Sequence, residues 1–243
     1  MHQIRINGII INIIVVYIEV KWGIKMRRRK KPGAKEKLLS YEQYVCINPE
    51  DFKGKWYEYF NNSSEIHVEL GTGRGQFITT LAELNPAVNY IGVEVKEEIL
   101  LKAVQKAEEK QLNNIVFLWY DINKFADIFE ENELSRIYIN FCDPWPKNRW
   151  AKRRLTHRKF LEGYKHSLQQ NSEIHFKTDN EKLFEFSLNE FSHCDFKLKN
   201  ITFDLHNSNF EGNITTEYED KFVQMGMRIY RCEAVKRRFG QGT

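Results

Sequence analysis

Residues 137–156 read IYINFCDPWPKNRWAKRRLT and combine side chains that suit nucleic-acid chemistry. An apolar run ends at Asp143, after which Pro144 and Pro146 flank Trp145. Neither proline can continue a strand or enter a helix interior, so the pair predicts a stiff loop. A carboxylate and an aromatic face, followed at once by clustered Lys and Arg, indicate a site for a nucleobase that is still joined to its phosphate backbone.

A glycine-rich loop lies over residues 68–77, which read VELGTGRGQF. Gly71, Gly73 and Gly75 would let the backbone turn tightly and approach a ligand. The third glycine comes one residue too early for the dinucleotide fingerprint GxGxxG, and no GK[ST] follows as in a P-loop. Glu69, directly before the loop, would repel a pyrophosphate. It would suit a ligand with positive charge and no phosphate, such as S-adenosylmethionine.

Four acids, Glu69, Glu94, Asp121 and Asp143, come at the ends of successive predicted strands. Ligands of open α/β sheets bind just beyond the carboxyl ends of the strands. Glu94 follows the loop by about 20 residues, where an acid can bind ribose hydroxyls, and Asp121 could accept a hydrogen bond from an adenine amine. Any one of them could be a solvated strand end, but the set predicts a common ligand crevice.

The elements that must position these acids alternate along the chain. Apolar runs predict strands at 66–70, 90–94, 115–120, 137–142 and 173–177, and helical spacing predicts helices at 76–84, 97–110, 125–130, 157–168 and 183–191. This alternation predicts βαβ units and a mainly parallel sheet. Segments 196–205 and 227–235 alternate without a clear helix at their boundary, which favours an antiparallel pair that closes one sheet edge.

Composition limits the class of protein. The chain has 243 residues, of which 42% are hydrophobic and 29% charged, and its net charge is only +4. The four cysteines are far apart and form no CxxC pair, which disfavours a zinc site or a disulfide framework and indicates a reducing compartment, the cytoplasm. The seven histidines show no metal-ligand spacing, so we predict no metal.

Charge and hydropathy divide the chain into three predicted segments. Residues 1–25 are predicted to be an N-terminal extension: an extra strand, a disordered segment or the product of a start assigned upstream of Met26. Its apolar run, 9–18, is too short to span a bilayer as a helix and no small-residue cleavage site follows it, so no membrane partner is predicted. Residues 26–60 are predicted to form a basic arm and a cover segment, and 61–238 the α/β domain.

Several motifs together resemble one known family. The glycine loop, IGVE, INFCDPWPKNR, KRRLT, HFKTDN and NITTEYEDKF are similar to those of bacterial tRNA (guanine-N7)-methyltransferases, from about Met26 to about Glu233. The resemblance implies a Rossmann-like, seven-stranded methyltransferase fold with a mostly parallel sheet and an antiparallel edge hairpin. It also implies S-adenosyl-L-methionine as methyl donor and guanine 46 in the variable loop of tRNA as acceptor.

The resemblance also implies roles for individual residues. Cofactor contacts are expected at Glu69, Gly71, Gly73, Glu94, Asp121 and Asp143, of which Asp143 is also catalytic. Substrate contacts are expected at Lys147, Asp179, Thr216, Glu217, Tyr218 and Glu219, and RNA contacts at Arg149, Trp150, Ala151, Lys152, Arg153 and Arg154. Two positions depart from the pattern: Gly33 replaces the usual Trp, and Trp150 stands where a His is common.

The chemistry of the acceptor defines what these residues must do. Guanine N7 carries a free lone pair in the major groove, so it needs no general base and methyl transfer is expected as a direct in-line displacement. Asp143 would hydrogen-bond the guanine edge or orient the cofactor ammonium. Trp145 either lines the base pocket or packs between its prolines. Asp179 either holds the base or caps the following helix.

Three other functions are open from the sequence, each disfavoured by particular residues. Exocyclic-amine methyltransferases carry an (Asp/Asn)-Pro-Pro-aromatic loop, which DPWP resembles. The Trp between the two prolines and the RWAKRR run disfavour this function. A non-catalytic RNA-binding protein is disfavoured by intact Glu69, Gly71, Gly73 and Asp143. A nicotinamide oxidoreductase is disfavoured by Glu69 and the glycine spacing. The sequence is compatible with both a monomer and a homodimer.

Overall fold

The computed structural model describes residues 33–237, and these form one mixed sheet with helices on both faces. The predicted extension 1–25, the arm up to residue 32 and residue 238 lie outside the described residues. Eight strands occur within the described part: β1 (Val45–Cys46), β2 (Ile66–Leu70), β3 (Asn89–Glu94), β4 (Ile115–Trp119), β5 (Leu134–Asn140), β6 (Leu168–Thr178), β7 (Phe196–Thr202) and β8 (Tyr230–Lys236). Their order across the sheet is β1-β4-β3-β2-β5-β6-β8-β7.

Helices connect these strands. They are α1 (Ala34–Leu39), α2 (Trp56–Tyr59), α3 (Gln76–Leu84), α4 (Glu97–Glu109), α5 (Arg158–Ser167), α6 (Glu181–His193) and α7 (Glu217–Gln224). Short 3-10 helices lie at Pro49–Phe52, Ile122–Asp127, Asn148–Arg153 and Leu205–Asn207. No helix in the described part of the chain is long and apolar enough to cross a membrane.

The centre of the sheet is parallel, as predicted. All five residues of β2 are buried, and β2 pairs in parallel with both β3 and β5. Because both faces are covered, the two polar residues that alternate with the apolar ones in this strand, His67 and Glu69, are buried as well. Each fully buried Val or Leu in such a strand contributes about 1.5–3 kcal/mol relative to exposure.

One sheet face is covered by α3 and α4, which pack closely on each other. Gly75 stands immediately before α3 with φ 80°, and a Cβ at that position would lie 2.5 Å from Cβ of Ala103 in α4. Leu100, Ala103 and Val104 of α4 are fully buried. The helix–helix contact therefore requires a residue without a side chain at the end of the glycine loop.

The second face carries the larger apolar core, beneath α5 and α6. Here the predicted helix 125–130 is wrong in type and position. The structure has a 3-10 helix at Ile122–Asp127, capped by Asp121 and kinked at Lys124. Its Phe125 packs edge-on against Tyr164 of α5, with ring centroids 4.8 Å apart. Over only six residues, buried aromatic side chains can fall at helical spacing without an α-helix being present.

Two predicted strand bounds also need correction. β5 ends at Asn140 rather than Cys142, because Phe141 adopts the left-handed conformation with φ 51°. β6 begins at Leu168, directly after α5, so it is longer than the predicted strand 173–177. Asp143 therefore lies three residues beyond its strand, within a loop.

The predicted antiparallel edge is confirmed, although it is not a tight hairpin. β8 pairs antiparallel with both β6 and β7. The connection from β7 to β8 contains the 3-10 helix Leu205–Asn207 and α7, neither of which was predicted. The eighth strand, β1, has two residues and pairs with the β4 edge, so the predicted count of seven strands is one too low.

Candidate active site

The carboxyl ends of the central strands open into a cavity of about 630 Å³. Six residues that the sequence assigned to the cofactor or to RNA line it together: Gly71, Glu94, Asp121, Asp143, Lys152 and Arg153. Trp145 also lines this cavity. The sheet thus brings acids that are far apart in sequence to one edge, as the strand-end pattern predicted.

The glycine loop forms one side of the cavity. The backbone N–H groups of Gly71 and Thr72 both donate to the carbonyl of Val93 at 2.9 Å, which joins the loop to the end of β3. Gly71 and Gly73 have φ of 81° and 58°, and a Cβ on Gly71 would meet no atom within 4 Å. Gly71 therefore exposes its backbone to the cavity in a conformation that other residues avoid.

Glu69 supports this loop from beneath. Its carboxylate is buried and accepts hydrogen bonds from the Thr72 hydroxyl at 2.7 Å and from Nδ2 of Asn140 at 2.9 Å. Burial raises the pKa of Glu69 to about 7, against the opposing effect of these two donors. Glu69 does not line the cavity in this structure. Its contact to a cofactor stays a prediction.

Glu94 and Asp121 are held by the backbone that follows each of them. Oε1 of Glu94 accepts from the N–H groups of Val95 and Lys96, both at 3.0 Å. Burial raises the pKa of Glu94. Oδ1 of Asp121 accepts from the N–H and the side-chain amide of Asn123, at 2.9 and 2.8 Å. These bonds fix both carboxylates at the cavity wall.

The loop that carries Asp143 is braced by Arg154. Nε of Arg154 donates to the Pro144 carbonyl at 3.0 Å, and Nη2 donates to the Trp145 carbonyl at 3.1 Å. The guanidinium also lies 4.3 Å from the ring centroid of Phe186, and Arg154 is buried. This placement favours a bracing role for Arg154 over the predicted RNA contact.

Exposed cations surround two indoles at the mouth of the cavity. The guanidinium carbon of Arg153 lies 4.9 Å from the Trp145 ring and 5.9 Å from the Trp150 ring. Nζ of Lys147 and the guanidinium carbon of Arg149 lie 5.0 and 5.1 Å from the Trp150 ring. Cation–π contacts of this kind order long side chains without neutralising them. The result is a positively charged aromatic surface beside Asp143.

Residues from the predicted substrate set meet on the other side of Asp143. The Tyr218 ring lies 5.3 Å from that of Phe141, which itself lines the cavity. Burial, with the nearby charges of Asp179 and Asp143, raises the pKa of Tyr218. Asp179 does not cap α6, because Asn180 accepts from the N–H of Leu183 at 2.8 Å and fills that role.

The motif NITTEYEDKF forms the start of α7. Thr216 caps this helix, since its hydroxyl accepts from the N–H of Glu219 at 2.9 Å. The spacing Thr216-x-x-Glu219 is a capping-box signature, and it could have located α7 from the sequence. Glu217 forms an ion pair with Lys106. Glu219 is fully buried and pairs with Lys177 of β6 at 2.7 Å.

Sequence reasoning missed Lys177. A lysine inside the apolar strand around HFKTDN is a signal by itself, because a buried ammonium requires an acceptor nearby. Its partner is 42 residues away, so only the folded chain identifies it.

A second polar cluster lies in the middle of β6 and β8. Carboxylate and imidazole atoms of Glu173, His175 and Glu233 lie within 4.8 Å of one another, a spacing compatible with a metal ion. Lys199 pairs with Glu173 at 2.9 Å and with Glu233 at 3.3 Å, and Arg231 also pairs with Glu233. The carboxylates are thus already engaged by cations, which characterises a salt-bridge network.

Comparison with known proteins shows which family this chain resembles. Residues 63–232 match a family model described as a putative methyltransferase. A tRNA (guanine-N(7)-)-methyltransferase of Clostridioides difficile strain 630 is 65% identical over 213 residues, which are 87% of this chain and 100% of that protein. The protein of the same name from Geobacillus sp. strain WCH70 is 52% identical over 208 residues, which are 86% of this chain and 94% of that protein.

Solved structures support the fold at low sequence identity. The 16S rRNA methyltransferase KamB superposes with a TM-score of 0.59 at 10% identity, over 76% of this chain and 94% of that one. A 16S rRNA (adenine(1408)-N(1))-methyltransferase variant from Catenulisporales acidiphilia, solved with the cosubstrate SAM, superposes with a TM-score of 0.56 at 13% identity, over 82% and 95%. At these identities the likeness shows the fold alone.

Proposed function

The chain belongs to the family of tRNA (guanine-N(7)-)-methyltransferases, and we propose that it methylates N7 of guanine 46 in the variable loop of tRNA. S-adenosylmethionine supplies the methyl group in this reaction. The observation that carries the proposal is the cavity at the strand ends, where Gly71, Glu94, Asp121 and Asp143 meet beside an exposed surface of cations and indoles.

The cavity fits S-adenosylmethionine in size and chemistry. Its volume of about 630 Å³ falls in the range of sites for cofactor-sized ligands, roughly 300–1,000 Å³. Glu94 and Asp121, at the ends of β3 and β4, would accept hydrogen bonds from ribose hydroxyls and the adenine amine. Gly71 would present its backbone to the methionine moiety, close to the buried charge of Glu69. When bound, this cofactor supplies a methyl group on a positively charged sulfur.

Methyl transfer to N7 requires positioning more than proton removal. The N7 lone pair is already free to attack, so no side chain has to act as a strong base. Guanine gains positive charge as the new bond forms, and a carboxylate nearby stabilises that charge. Asp143 lines the cofactor cavity and its charge acts on Tyr218, which supports a role in orienting the guanine edge or the cofactor ammonium.

The surface around Trp145 and Trp150 would receive the RNA. Lys147, Arg149 and Arg153 are exposed and point their charges across the two indole rings. Phosphate contacts from such residues set register and affinity, whereas an exposed ring can stack on a base for about 1–3 kcal/mol. A tRNA substrate and the free cysteines of the described chain also favour a cytoplasmic location.

An assay with labelled S-adenosylmethionine and an unmodified tRNA transcript tests the activity. The digested product should contain labelled 7-methylguanosine as its single labelled nucleoside. Label in an exocyclic amine would favour the alternative methyltransferase class, and calorimetric binding of tRNA without any label transfer would favour a non-catalytic RNA-binding protein. Either result would overturn the proposal.

A further inference from the structure

Lys177 is a cation that the reaction described above does not use. It lies near the carboxyl end of β6, two residues before Asp179, and is 4% exposed. Burial lowers the pKa of its ammonium, while the carboxylate of Glu219 opposes that effect. A buried charge that is kept in this way must have its donors satisfied.

All three hydrogen bonds from this ammonium go to one segment, 213–219. Nζ of Lys177 donates to Oε2 of Glu219 at 2.7 Å, to the carbonyl of Ile214 at 2.8 Å and to Oδ1 of Asn213 at 3.2 Å. Two of these acceptors precede α7 and one lies within its first turn. The ammonium therefore ties an irregular stretch to the start of a helix.

The same segment is held from two further sides. Oε1 of Glu219 accepts from Nδ2 of Asn213 at 2.7 Å and lies 2.9 Å from Nε2 of His206. Gln76, in the first turn of α3 after the glycine loop, donates to the carbonyl of Thr215 at 3.5 Å and to Asp220, directly after the segment, at 2.8 Å. Lys177 is central to this network because its hydrogen bonds join 213–219 to β6 of the sheet.

The geometry points to Lys177 as a positioning residue for tRNA: its ammonium holds segment 213–219 so that Tyr218 stands beside Phe141, Asp143 and Asp179. This inference rests on the proposed function. A loop that orders only when its partner is present would have to pay its ordering entropy on binding. An anchor already made in the free enzyme lowers that cost, and so favours binding of tRNA.

The test is Lys177→Ala, compared with Lys199→Ala, which removes a more exposed ammonium from the same sheet (side chain 41% exposed, against 5% for Lys177). Lys199 also lies in this sheet and pairs with two carboxylates, but none of its partners belongs to 213–219. We expect kcat/KM for tRNA to fall about tenfold or more, as for loss of a charge-assisted contact. The Kd for S-adenosylmethionine should change much less than kcat/KM for tRNA, because Lys177 does not line that cavity and acts on it only through the charge of Glu69.

Two further readouts separate positioning from general stability. Hydrogen exchange of peptides covering 208–220 should accelerate in Lys177→Ala and not in Lys199→Ala. Lys177 also lines a second cavity, of about 180 Å³, through which a small amine can reach the vacated position. Added propylammonium should restore part of kcat/KM for tRNA, whereas tetramethylammonium at equal ionic strength, which cannot donate a hydrogen bond, should not.

Unchanged exchange in 208–220, or kcat/KM within twofold of the wild type, would overturn the inference. If Lys177→Ala does not fold, Lys177→Gln replaces it, and failure of both variants to fold would show a purely structural residue. If the wild-type enzyme forms no 7-methylguanosine, the proposed function fails instead, and the exchange data still report whether Lys177 holds the segment.

Discussion

Among single residues, Asp143 gives the most specific test of the proposed mechanism. Replacing it by Asn keeps the size and removes the charge that would balance the guanine. We expect turnover at saturating cofactor and tRNA to fall by about 10²–10³-fold, the range for removal of one electrostatic contact at a transition state. Single-turnover kinetics would measure it. Asp127→Asn, at the exposed last residue of the 3-10 helix Ile122–Asp127, is the control, and turnover of Asp143→Asn within threefold of wild type would refute the assignment.

The cations at the cavity mouth make a second prediction. If Arg149 and Arg153 contact phosphates, removing both should reduce the slope of log affinity against log salt by about one for each contact. Filter binding of tRNA between low and moderate salt would measure the slope. Arg228→Ala removes an exposed guanidinium elsewhere, 71% exposed and 3.7 Å from Asp204, and should leave the slope unchanged. An equal slope in all proteins would exclude this surface as the RNA contact.

The sequence predicts some of these residues and not others, for physical reasons. Glu94, Asp121 and Asp143 were identifiable because strand ends in a parallel sheet share one edge, which the alternation of elements already implied. The sequence did not indicate that Arg154 turns inward, because a run of Arg and Lys does not reveal which member does so; its RNA contact stays a prediction. Only the backbone of the loop, with its two carbonyl acceptors, shows that one arginine is structural.

At the scale of elements, the contact between α3 and α4 depends on Gly75. In Gly75→Ala the new Cβ meets Ala103 at 2.5 Å and the residue must keep φ near 80°. Gly226→Ala is a matched control, because Gly226 has φ 70° but no atom within 4 Å of the added Cβ. Both variants carry the cost of a left-handed non-glycine residue, about 1–2 kcal/mol. Gly75→Ala should lose a further 1–3 kcal/mol or so through overpacking.

Denaturant unfolding of both variants would measure the difference. Because α3 follows the glycine loop, Gly75→Ala should also weaken binding of S-adenosylmethionine, and Gly226→Ala should not. Equal losses of stability in the two variants would show that the close approach of α4 is unimportant and that only the backbone conformation matters.

Long periodic elements were predicted well and short irregular ones were not. α4 and the strands around it carry a full apolar face or a continuous apolar run, which defines both type and extent. The two residues of β1 show no period, and the six residues at Ile122–Asp127 contain a kink that no pattern of apolar positions reveals. α7 was hidden because its helix has only eight residues, although its capping box was present in the sequence.

At the scale of the whole molecule, the buried carboxylate of Glu69 links stability to pH. Its pKa is raised from 4.5 to about 7. The folded state therefore binds more protons than the unfolded state between these values, and this residue makes the free energy of unfolding fall as pH rises through that window. A cation bound close by favours the ionised form, so the affinity for S-adenosylmethionine should rise with pH over the same interval.

Thermal unfolding and calorimetry between pH 5 and 8 would test both slopes. Other titrating groups contribute to the wild-type curve, so the informative quantity is its difference from Glu69→Gln. That variant keeps hydrogen-bonding atoms at the position but cannot ionise. The contribution of residue 69 to the pH dependence of stability and of S-adenosylmethionine affinity should therefore be lost. A Glu69→Gln curve parallel to the wild-type curve would show that Glu69 does not titrate in this range.

The proposed methyl transfer adds one group to one atom of one nucleotide, and chain scission locates that nucleotide in the RNA. Borohydride and aniline cleave RNA at 7-methylguanosine, so a methylated tRNA transcript treated in this way reports the modified position on a sequencing gel. We predict a single cut, at guanine 46, and no cut in a transcript in which that guanine is replaced by adenine. A cut at another guanine would contradict the proposed substrate position, and methylated tRNA that resists cleavage would contradict transfer to N7.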